Sequence, residues 1–140
     1  MFLLDTNVVS EVRKSSCNQN VRTWLTAQAT DTLYISAITV LEIQRGISLA
    51  AQRGDELQAE VFTRWLDSQV LPAFAGRILP VDHDVCRRAA RLTWAGARDY
   101  RDPLIAATAL VHGATVVTRH IKHFETSGVA LIQPWLLDQG

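Results

Sequence analysis

Three acidic residues stand where carboxylate chemistry is expected. Asp5 directly follows a short apolar run, Glu42 lies less than two helical turns after a second one, and Asp102 begins a long apolar segment. Two carboxylates ~4 Å apart repel by ~4 kcal/mol at an effective dielectric near 20, so three clustered acids require a cation. Oxygen ligands without a cysteine cluster favour Mg²⁺ or Mn²⁺. The acids therefore predict a divalent metal site, provided that the fold brings them together.

Each acid also has a structural interpretation. Asp5 before Thr-Asn fits the N-cap of a first helix, and Asp102 fits an N-cap because Pro103 follows at the first helical position. For Glu42 the alternative is an ion pair with Arg45 on a solvated helix face. The apolar neighbours of Glu42 argue against that alternative, because they indicate a mostly buried segment. Convergence of the three acids on one sheet edge favours the functional interpretation.

The elements that must position these acids follow from hydrophobic patterning. Five apolar runs predict strands at 2–4, 33–36, 78–81, 115–118 and 130–132. The predicted helices between them are at 6–13, 21–28, 38–49, 57–65, 82–94 and 102–113, and the least regular connection is 71–80. Alternating strands and helices predict a parallel sheet covered by helices on both faces, in a single domain spanning 1–140. Such sheets bind ligands beyond the carboxyl ends of their strands, where Asp5, Ser36 and Thr118 are expected.

Bulk composition limits the function classes. The chain has 14 basic and 14 acidic residues and no formal net charge, which argues against a strongly basic protein that coats nucleic acid. A local basic run remains, made of Arg87, Arg88, Arg91, Arg98 and Arg101. This Arg87–Arg101 run has two interpretations: phosphate binding beside the acids, or a solvated helix face that pairs internally or with a partner.

Localisation is predicted to be cytoplasmic. Cys17 and Cys86 show neither metal-type spacing nor the pattern of a secreted disulfide framework. The N-terminal sequence MFLLDTN lacks the basic region of a signal peptide, and the apolar run at 104–111 is too short to span a bilayer. We therefore expect no membrane association.

Three sequence blocks carry a family resemblance. They are LLDTNVVSEV at 3–12, ISAITVLEIQRGI at 35–47 and DPLIAATALVHGATVVTRHIKHFETSGVALIQPW at 102–135. Together they resemble PIN-domain proteins, in particular the VapC/FitB-type toxins of type II toxin–antitoxin systems. The resemblance implies a three-layer α/β/α sandwich with a central, mostly parallel sheet, and a homodimer. It also implies a metal-dependent endoribonuclease bound by a VapB/FitA-like antitoxin, with operator DNA contacted only through that antitoxin.

The resemblance also implies roles for individual residues. The family's catalytic, metal-binding acids fall on Asp5, Glu42 and Asp102, which would hold one or two Mg²⁺ or Mn²⁺ ions. The residues expected to support these acids or contact RNA are Thr6, Asn7, Arg101, Thr118 and His123.

One block departs from the family pattern. Where the family commonly reads Thr-Arg-Asn-x-x-Asp-Phe, this chain has His120 and His123 at the asparagine and aspartate positions. Loss of the fourth acid puts a second metal ion in question. His123 can be a nitrogen ligand that favours Mn²⁺, a proton donor to the leaving oxygen, or a solvated residue. For His120 the alternatives are a phosphate contact and a solvated position.

Two further functions remain open at this point. One is a phosphatase with Asp5 as nucleophile, which calls for a second aspartate two residues on, where Asn7 stands. The other is a degenerate, catalytically weak PIN domain that acts as an antitoxin-bound RNA-binding or regulatory module.

Overall fold

A computed structural model describes residues 1–92 and 99–136 of the chain. At its centre is a parallel sheet with strand order β3-β2-β1-β4-β5. The strands are β1 (Phe2–Leu4), β2 (Leu33–Ser36), β3 (Ile78–Leu79), β4 (Thr115–Val117) and β5 (Leu131–Ile132). All the predicted strands are confirmed, although the last three are shorter than predicted. In β3 the reason is Pro80, which has no N–H group to extend the ladder.

Helices connect the strands in chain order. They are α1 (Thr6–Arg13), α2 (Gln19–Thr26), α3 (Ala37–Gln52), α4 (Glu56–Trp65), α5 (Leu71–Ala73), α6 (His83–Arg91) and α7 (Arg101–His112). A π-helical turn, Leu66–Val70, joins α4 to α5. Single 3₁₀ turns occur at Thr30–Thr32, Ile121–His123, Glu125–Ser127 and Pro134–Leu136. The segment 71–80, predicted as the least regular, contains α5 and β3 at its two ends.

Hydrophobic clusters cover both faces of the sheet. Leu3 and Leu4 are neighbours on β1 and both are buried, yet Leu4 packs with residues of α1, α3 and α4 whereas Leu3 packs with residues of α7. Val116 and Val117 divide in the same way on β4. Since successive strand side chains point to opposite faces, this double burial requires helices on both sides. The predicted three-layer α/β/α sandwich is confirmed.

The strand order reverses at β1. From β1 the chain builds β2 and β3 on one side, then returns to add β4 and β5 on the other. Register pairs Leu3 with Tyr34 and with Val116, so the neighbouring strands end beside the end of β1. In open parallel sheets a ligand crevice forms at such a reversal, beyond the carboxyl ends of the strands.

Helix α7 ends as predicted but begins earlier. Gly113 terminates it with φ 68°, a left-handed conformation that glycine adopts without strain. At the start, the Leu104 N–H donates to the Tyr100 carbonyl at 2.9 Å, so Tyr100 is the N-cap residue. The prediction that Asp102 is the N-cap is therefore wrong. Asp102 lies within the first turn, still at the positive end of the helix dipole.

Two other predictions need adjustment. The segment around Glu42 is less buried than expected, because Leu41 is 49% exposed although Ile43 is buried. The helix predicted at 82–94 ends at Arg91, and residues 93 and 94 lie outside the described residues. Throughout 1–92 and 99–136, no helix has the length and apolarity to cross a bilayer.

Candidate active site

Asp5 is the most firmly held acid of the site. β1 carries it to the carboxyl edge of the sheet, where its side chain is almost completely buried. Its carboxylate accepts hydrogen bonds from the Thr6 N–H at 2.8 Å, the Asn7 side-chain amide at 3.0 Å and the Thr118 hydroxyl at 2.8 Å. The first of these bonds caps α1. Asp5 therefore has both of the roles considered from the sequence, as helix cap and as a positioned carboxylate.

Thr118 and Asn7 connect α1 to the end of β4. Thr118 is fully buried, and its hydroxyl accepts from the His120 N–H at 2.9 Å while donating to Asp5. The Asn7 side-chain carbonyl accepts from the Arg119 N–H at 3.1 Å. Each side chain thus uses both donor and acceptor functions, which fixes the orientation of Asp5 relative to the turn after β4.

Glu42 projects from α3 toward the same place. Its carboxylate accepts from the Thr6 hydroxyl at 2.9 Å and lies 3.7 Å from the Arg101 guanidinium. Arg101, not Arg45, is therefore the cation beside Glu42. Burial raises the pKa of Glu42; the Thr6 hydrogen bond opposes this rise, while the charges of Asp5 and Asp102 add to it.

Asp102 reaches the site from the first turn of α7. Its carboxylate lies 3.1 Å from Nδ1 of His123. Burial raises the pKa of Asp102, as does the charge of Asp5, whereas His123 opposes the rise. The acids thus destabilise one another's charged forms, which is the electrostatic situation that a bound cation relieves.

The three acids line a single cleft of about 440 Å³, called the acidic cleft below. Its lining residues are Asp5, Thr6, Asn7, Ser10, Glu42, Asp99, Arg101, Asp102, His120 and His123. The predicted convergence is observed, and every predicted site residue lines the cleft except Thr118, which lies behind Asp5. The catalytic and metal-binding roles themselves stay predictions.

The donor atoms suit a hard divalent ion, although they are not preassembled around one. In the described part of the chain, no group of three or more histidine, cysteine or acidic side chains is arranged to hold a metal ion directly. Mg²⁺ commonly keeps several waters and uses only one or two carboxylates. Asp5 with Asp102 fits that mode, with the remaining contacts made through water.

The basic run divides between two places. Arg101 lines the acidic cleft, where its guanidinium donates to both carboxylate oxygens of Asp99. This contact lowers the pKa of Asp99 to about 2. Arg87, Arg88 and Arg91 instead lie on α6 beside Val111.

Val111 is nine residues from Asp102 along α7, or about 14 Å. Arg101 is therefore the member of the basic run that lines the acidic cleft, whereas the three α6 arginines line a different surface pocket. Arg98 lies outside the described residues.

The turn after β4 places the two histidines together. Their rings are 4.8 Å apart between centroids and inclined by 19°, a stacked arrangement. Phe124, which directly follows His123, is fully buried and anchors the turn in the core. Burial of such a side chain stabilises by about 1.5–3 kcal/mol.

Sequence reasoning missed two residues that line the cleft. Ser10 lies four residues after Thr6 and so shares its helix face, a periodicity that would have identified it. Asp99 gave no such signal, because its position depends on the path of the chain before α7.

Comparison with known proteins agrees with this geometry. Residues 2–126 match the family model of the PIN domain. The chain is 43% identical over 140 residues to VapC ribonuclease Y4jK of Sinorhizobium fredii, covering 96% of this chain and 98% of that protein. It is 38% identical over 140 residues to toxin FitB of Neisseria gonorrhoeae, covering 96% and 99%. A solved structure of FitAB bound to the IR36 DNA fragment superposes with a TM-score of 0.85 at 37% identity, covering 99% of each chain. The resemblance to VapC/FitB-type proteins is confirmed.

Proposed function

The chain belongs to the PIN-domain family, and we propose that it is the toxin of a type II toxin–antitoxin system, a divalent-metal-dependent endoribonuclease. The observation that carries the proposal is the acidic cleft, in which carboxylates from β1, α3 and α7 meet at the strand-order reversal. The chain would act as a single PIN domain spanning 1–140, in the cytoplasm, where its RNA substrate is found.

In the proposed reaction, Asp5 and Asp102 would hold one Mg²⁺ or Mn²⁺ ion, which would supply polarisation of a phosphate oxygen and a lowered pKa of a coordinated water. Thr6, Asn7 and Thr118 hold the Asp5 carboxylate in a fixed orientation.

The other cleft residues act on the water and the phosphate. Glu42 accepts a hydrogen bond from the attacking water and aligns it with phosphorus, and the proton that this water loses passes to solvent. The Arg101 guanidinium contacts a non-bridging phosphate oxygen, and the leaving oxygen takes up a proton from solvent water. Loss of the fourth acid at His123 leaves less negative charge for a second ion, so we propose one ion as the working state.

An antitoxin is the proposed protein partner. A groove of about 290 Å³ opens beside the acidic cleft and shares Thr6, Ser10 and Glu42 with it. We call it the apolar groove, because Ile43, Ile47, Leu49, Phe62 and Trp65 also line it.

Two apolar side chains are exposed on α4, which contributes Phe62 and Trp65 to this groove: Leu57 is 75% exposed and Val61 is 49% exposed. Exposed apolar side chains beside a groove are typical of a binding site, and such a groove suits an amphipathic helix. We propose that the antitoxin covers the apolar groove. Because this protein has no net charge, we propose that it contacts operator DNA only through the antitoxin. The toxin itself is proposed to form a homodimer.

Gly46 offers a direct test of the antitoxin site. It lines the apolar groove, and a Cβ added there meets no atom within 4 Å. Gly46→Phe should fill the groove and lower affinity for the product of the neighbouring antitoxin reading frame about tenfold or more. Gly46→Ala is the matched control, and it should bind normally and be up to about 1 kcal/mol more stable. Equal antitoxin binding by both variants in calorimetry would contradict the proposed site.

Two observations support the degenerate-module alternative. His123 contacts Asp102, and the acids are not preassembled around a metal ion in the described residues. Under this alternative the chain binds antitoxin and RNA but does not cleave. The phosphatase alternative is not proposed, because Asn7 donates to Asp5 at the position where that chemistry needs a second acid.

RNA cleavage by purified protein tests the enzymatic proposal. Wild type, Asp5→Asn and Asp102→Asn are incubated with RNA in Mg²⁺, Mn²⁺ or EDTA, and Asp67→Asn serves as a control at an exposed aspartate. Loss of a metal ligand removes several kcal/mol of transition-state stabilisation, so the first two variants should be slower on the order of 10³-fold. If all four proteins cleave equally, or if EDTA has no effect, the proposed function is wrong.

A further inference from the structure

A second cavity lies on the other side of the two histidines from the acidic cleft. It has a volume of about 330 Å³, within the range of small-ligand sites, and is called the histidine cavity here. Its lining residues are Arg119, His120, Ile121, Lys122, His123, Gln133 and Leu136. His120 and His123 also line the acidic cleft. The two imidazoles thus line both cavities. A bound polymer strand that leaves the acidic cleft on this side would pass over them.

The turn that carries the two exposed imidazoles is held by hydrogen bonds of its backbone. The His120 N–H donates to the Thr118 hydroxyl, and the His123 N–H donates to the His120 carbonyl at 3.0 Å. The buried Phe124 fixes the end of the same turn. On this held turn the two rings stack on each other, so a flat aromatic surface lies next to the acidic cleft and binding to it requires little reorganisation of the backbone.

The charge of this surface is opposite to that of the acidic cleft. Arg119 and Lys122 alternate with the histidines along the chain, and both are exposed. Arg119 also lies over the Trp135 ring at 5.2 Å, which holds its guanidinium at the margin of the cavity. Aromatic surfaces flanked by basic side chains are typical of sites for single-stranded nucleic acid, in which bases stack and cations contact phosphates.

We propose that the histidine cavity binds the nucleotide next to the scissile phosphate of a single-stranded RNA. Its base stacks on the His120 ring, and its phosphate contacts Lys122. This inference rests on the proposed function, since it takes the acidic cleft as the place where RNA is cut. It also gives a role to the histidines that replace the family's asparagine and aspartate: together they form a base-stacking surface.

Fluorescence of 2-aminopurine tests this stacking directly. Short single-stranded 2′-O-methyl RNAs carrying 2-aminopurine at successive positions are titrated with protein in EDTA, so that neither cleavage nor a metal ion is involved. Quenching at one position is expected with wild type. His120→Ala should abolish it and weaken binding roughly tenfold, as for loss of one stacked base. His120→Phe should retain both the quenching and the affinity.

Matched controls separate stacking from general effects of charge. His83→Ala removes an exposed histidine from α6 and should leave the quenching and the affinity unchanged. Lys122→Ala should reduce the salt dependence of binding by about one unit of log–log slope, whereas Arg88→Ala on α6 should leave that slope unchanged.

The outcomes also separate this inference from the proposed function. Quenching that depends on His120, in a protein that cleaves no RNA, supports the cavity and overturns the enzymatic proposal. A second outcome is that the wild type cleaves RNA, but His120→Ala binds RNA and quenches the probe as well as His83→Ala does. That result overturns the role of the histidine cavity and leaves the nuclease proposal intact. Absence of quenching at every position also overturns that role.

Discussion

Asp5 and Asp102 belong to the same cleft but are held in different ways. Asp5 is 5% exposed and accepts hydrogen bonds from Thr6, Asn7 and Thr118. The Asp102 side chain is 37% exposed and contacts His123. The difference follows from the elements: a buried central strand fixes its last residue, whereas the first turn of a helix leaves a side chain room to rotate. Asp5 is thus the fixed reference of the site, and Asp102 with His123 is the part that can adjust to an ion.

The largest loss of RNA cleavage in this comparison should come from removing a hydrogen bond that holds Asp5. Thr118→Val removes a donor from Asp5 and leaves the His120 N–H without its acceptor. We expect RNA cleavage to fall about 10- to 100-fold, as for other residues that orient a metal ligand. The free energy of unfolding should fall by about 1–3 kcal/mol. Cleavage rates and urea denaturation measure the two effects. Thr118→Ser keeps the hydroxyl, so equal losses in both variants would show that Thr118 does not act through Asp5.

A moderate effect on thermal stability is expected when the charge repulsion across the acidic cleft is reduced at Glu42. Because the folded-state pKa of Glu42 is raised above its ordinary value of 4.5, the folded protein favours the protonated form. The contribution of protonated Glu42 to the stability of the folded protein is complete below pH 4.5. It is lost as the pH rises through the folded-state pKa of Glu42. In EDTA at neutral pH, Glu42→Gln should therefore raise Tm by roughly 3 °C.

Acidification and added metal sharpen this second prediction. The gain from Glu42→Gln should disappear below about pH 4.5, where wild-type Glu42 is protonated as well. Mg²⁺ should raise the Tm of wild type more than that of the variant. Glu56→Gln, at the start of α4, is the control and should not stabilise. A lower Tm for Glu42→Gln in EDTA would indicate that its contacts with Thr6 and Arg101 outweigh the repulsion.

The smallest loss of RNA cleavage is expected from substituting His123, which contacts Asp102. If one ion is held by Asp5 and Asp102, His123→Ala should still cleave RNA, within about tenfold of wild type. His123→Asp adds a fourth carboxylate and should bind Mn²⁺ more tightly in calorimetry. Activity that is lost in His123→Ala but retained in His123→Asp would instead show that this position binds the ion.

The strands, the parallel sheet and the gathering of the acids were predictable from sequence, because strand ends in a parallel sheet share one edge. The partner of Glu42 was not predictable. Arg45 is three residues away on the same helix, yet Arg101 pairs with Glu42 because α3 and α7 approach each other in space. The same holds for the basic run: Arg101 lines the acidic cleft, whereas Arg87, Arg88 and Arg91 lie on α6 and line a separate pocket with Val111.

The helix start before Asp102 shows the limit of local rules. Aspartate followed by proline predicts an N-cap, but the hydrogen bond from Leu104 to Tyr100 moves the start back and turns Asp102 into the cleft. Local capping preferences are worth about 1 kcal/mol, which tertiary packing can exceed.

The sequence by itself determined the order of elements, the acids and the missing fourth carboxylate, since these depend on residue type and on periodicity along the chain. The tertiary structure decided which groups meet: Thr118 behind Asp5, Arg101 beside Glu42, His123 against Asp102, and two histidines stacked between two cavities. The physical reason is that side-chain contacts depend on distances between elements far apart in sequence, and packing sets those distances.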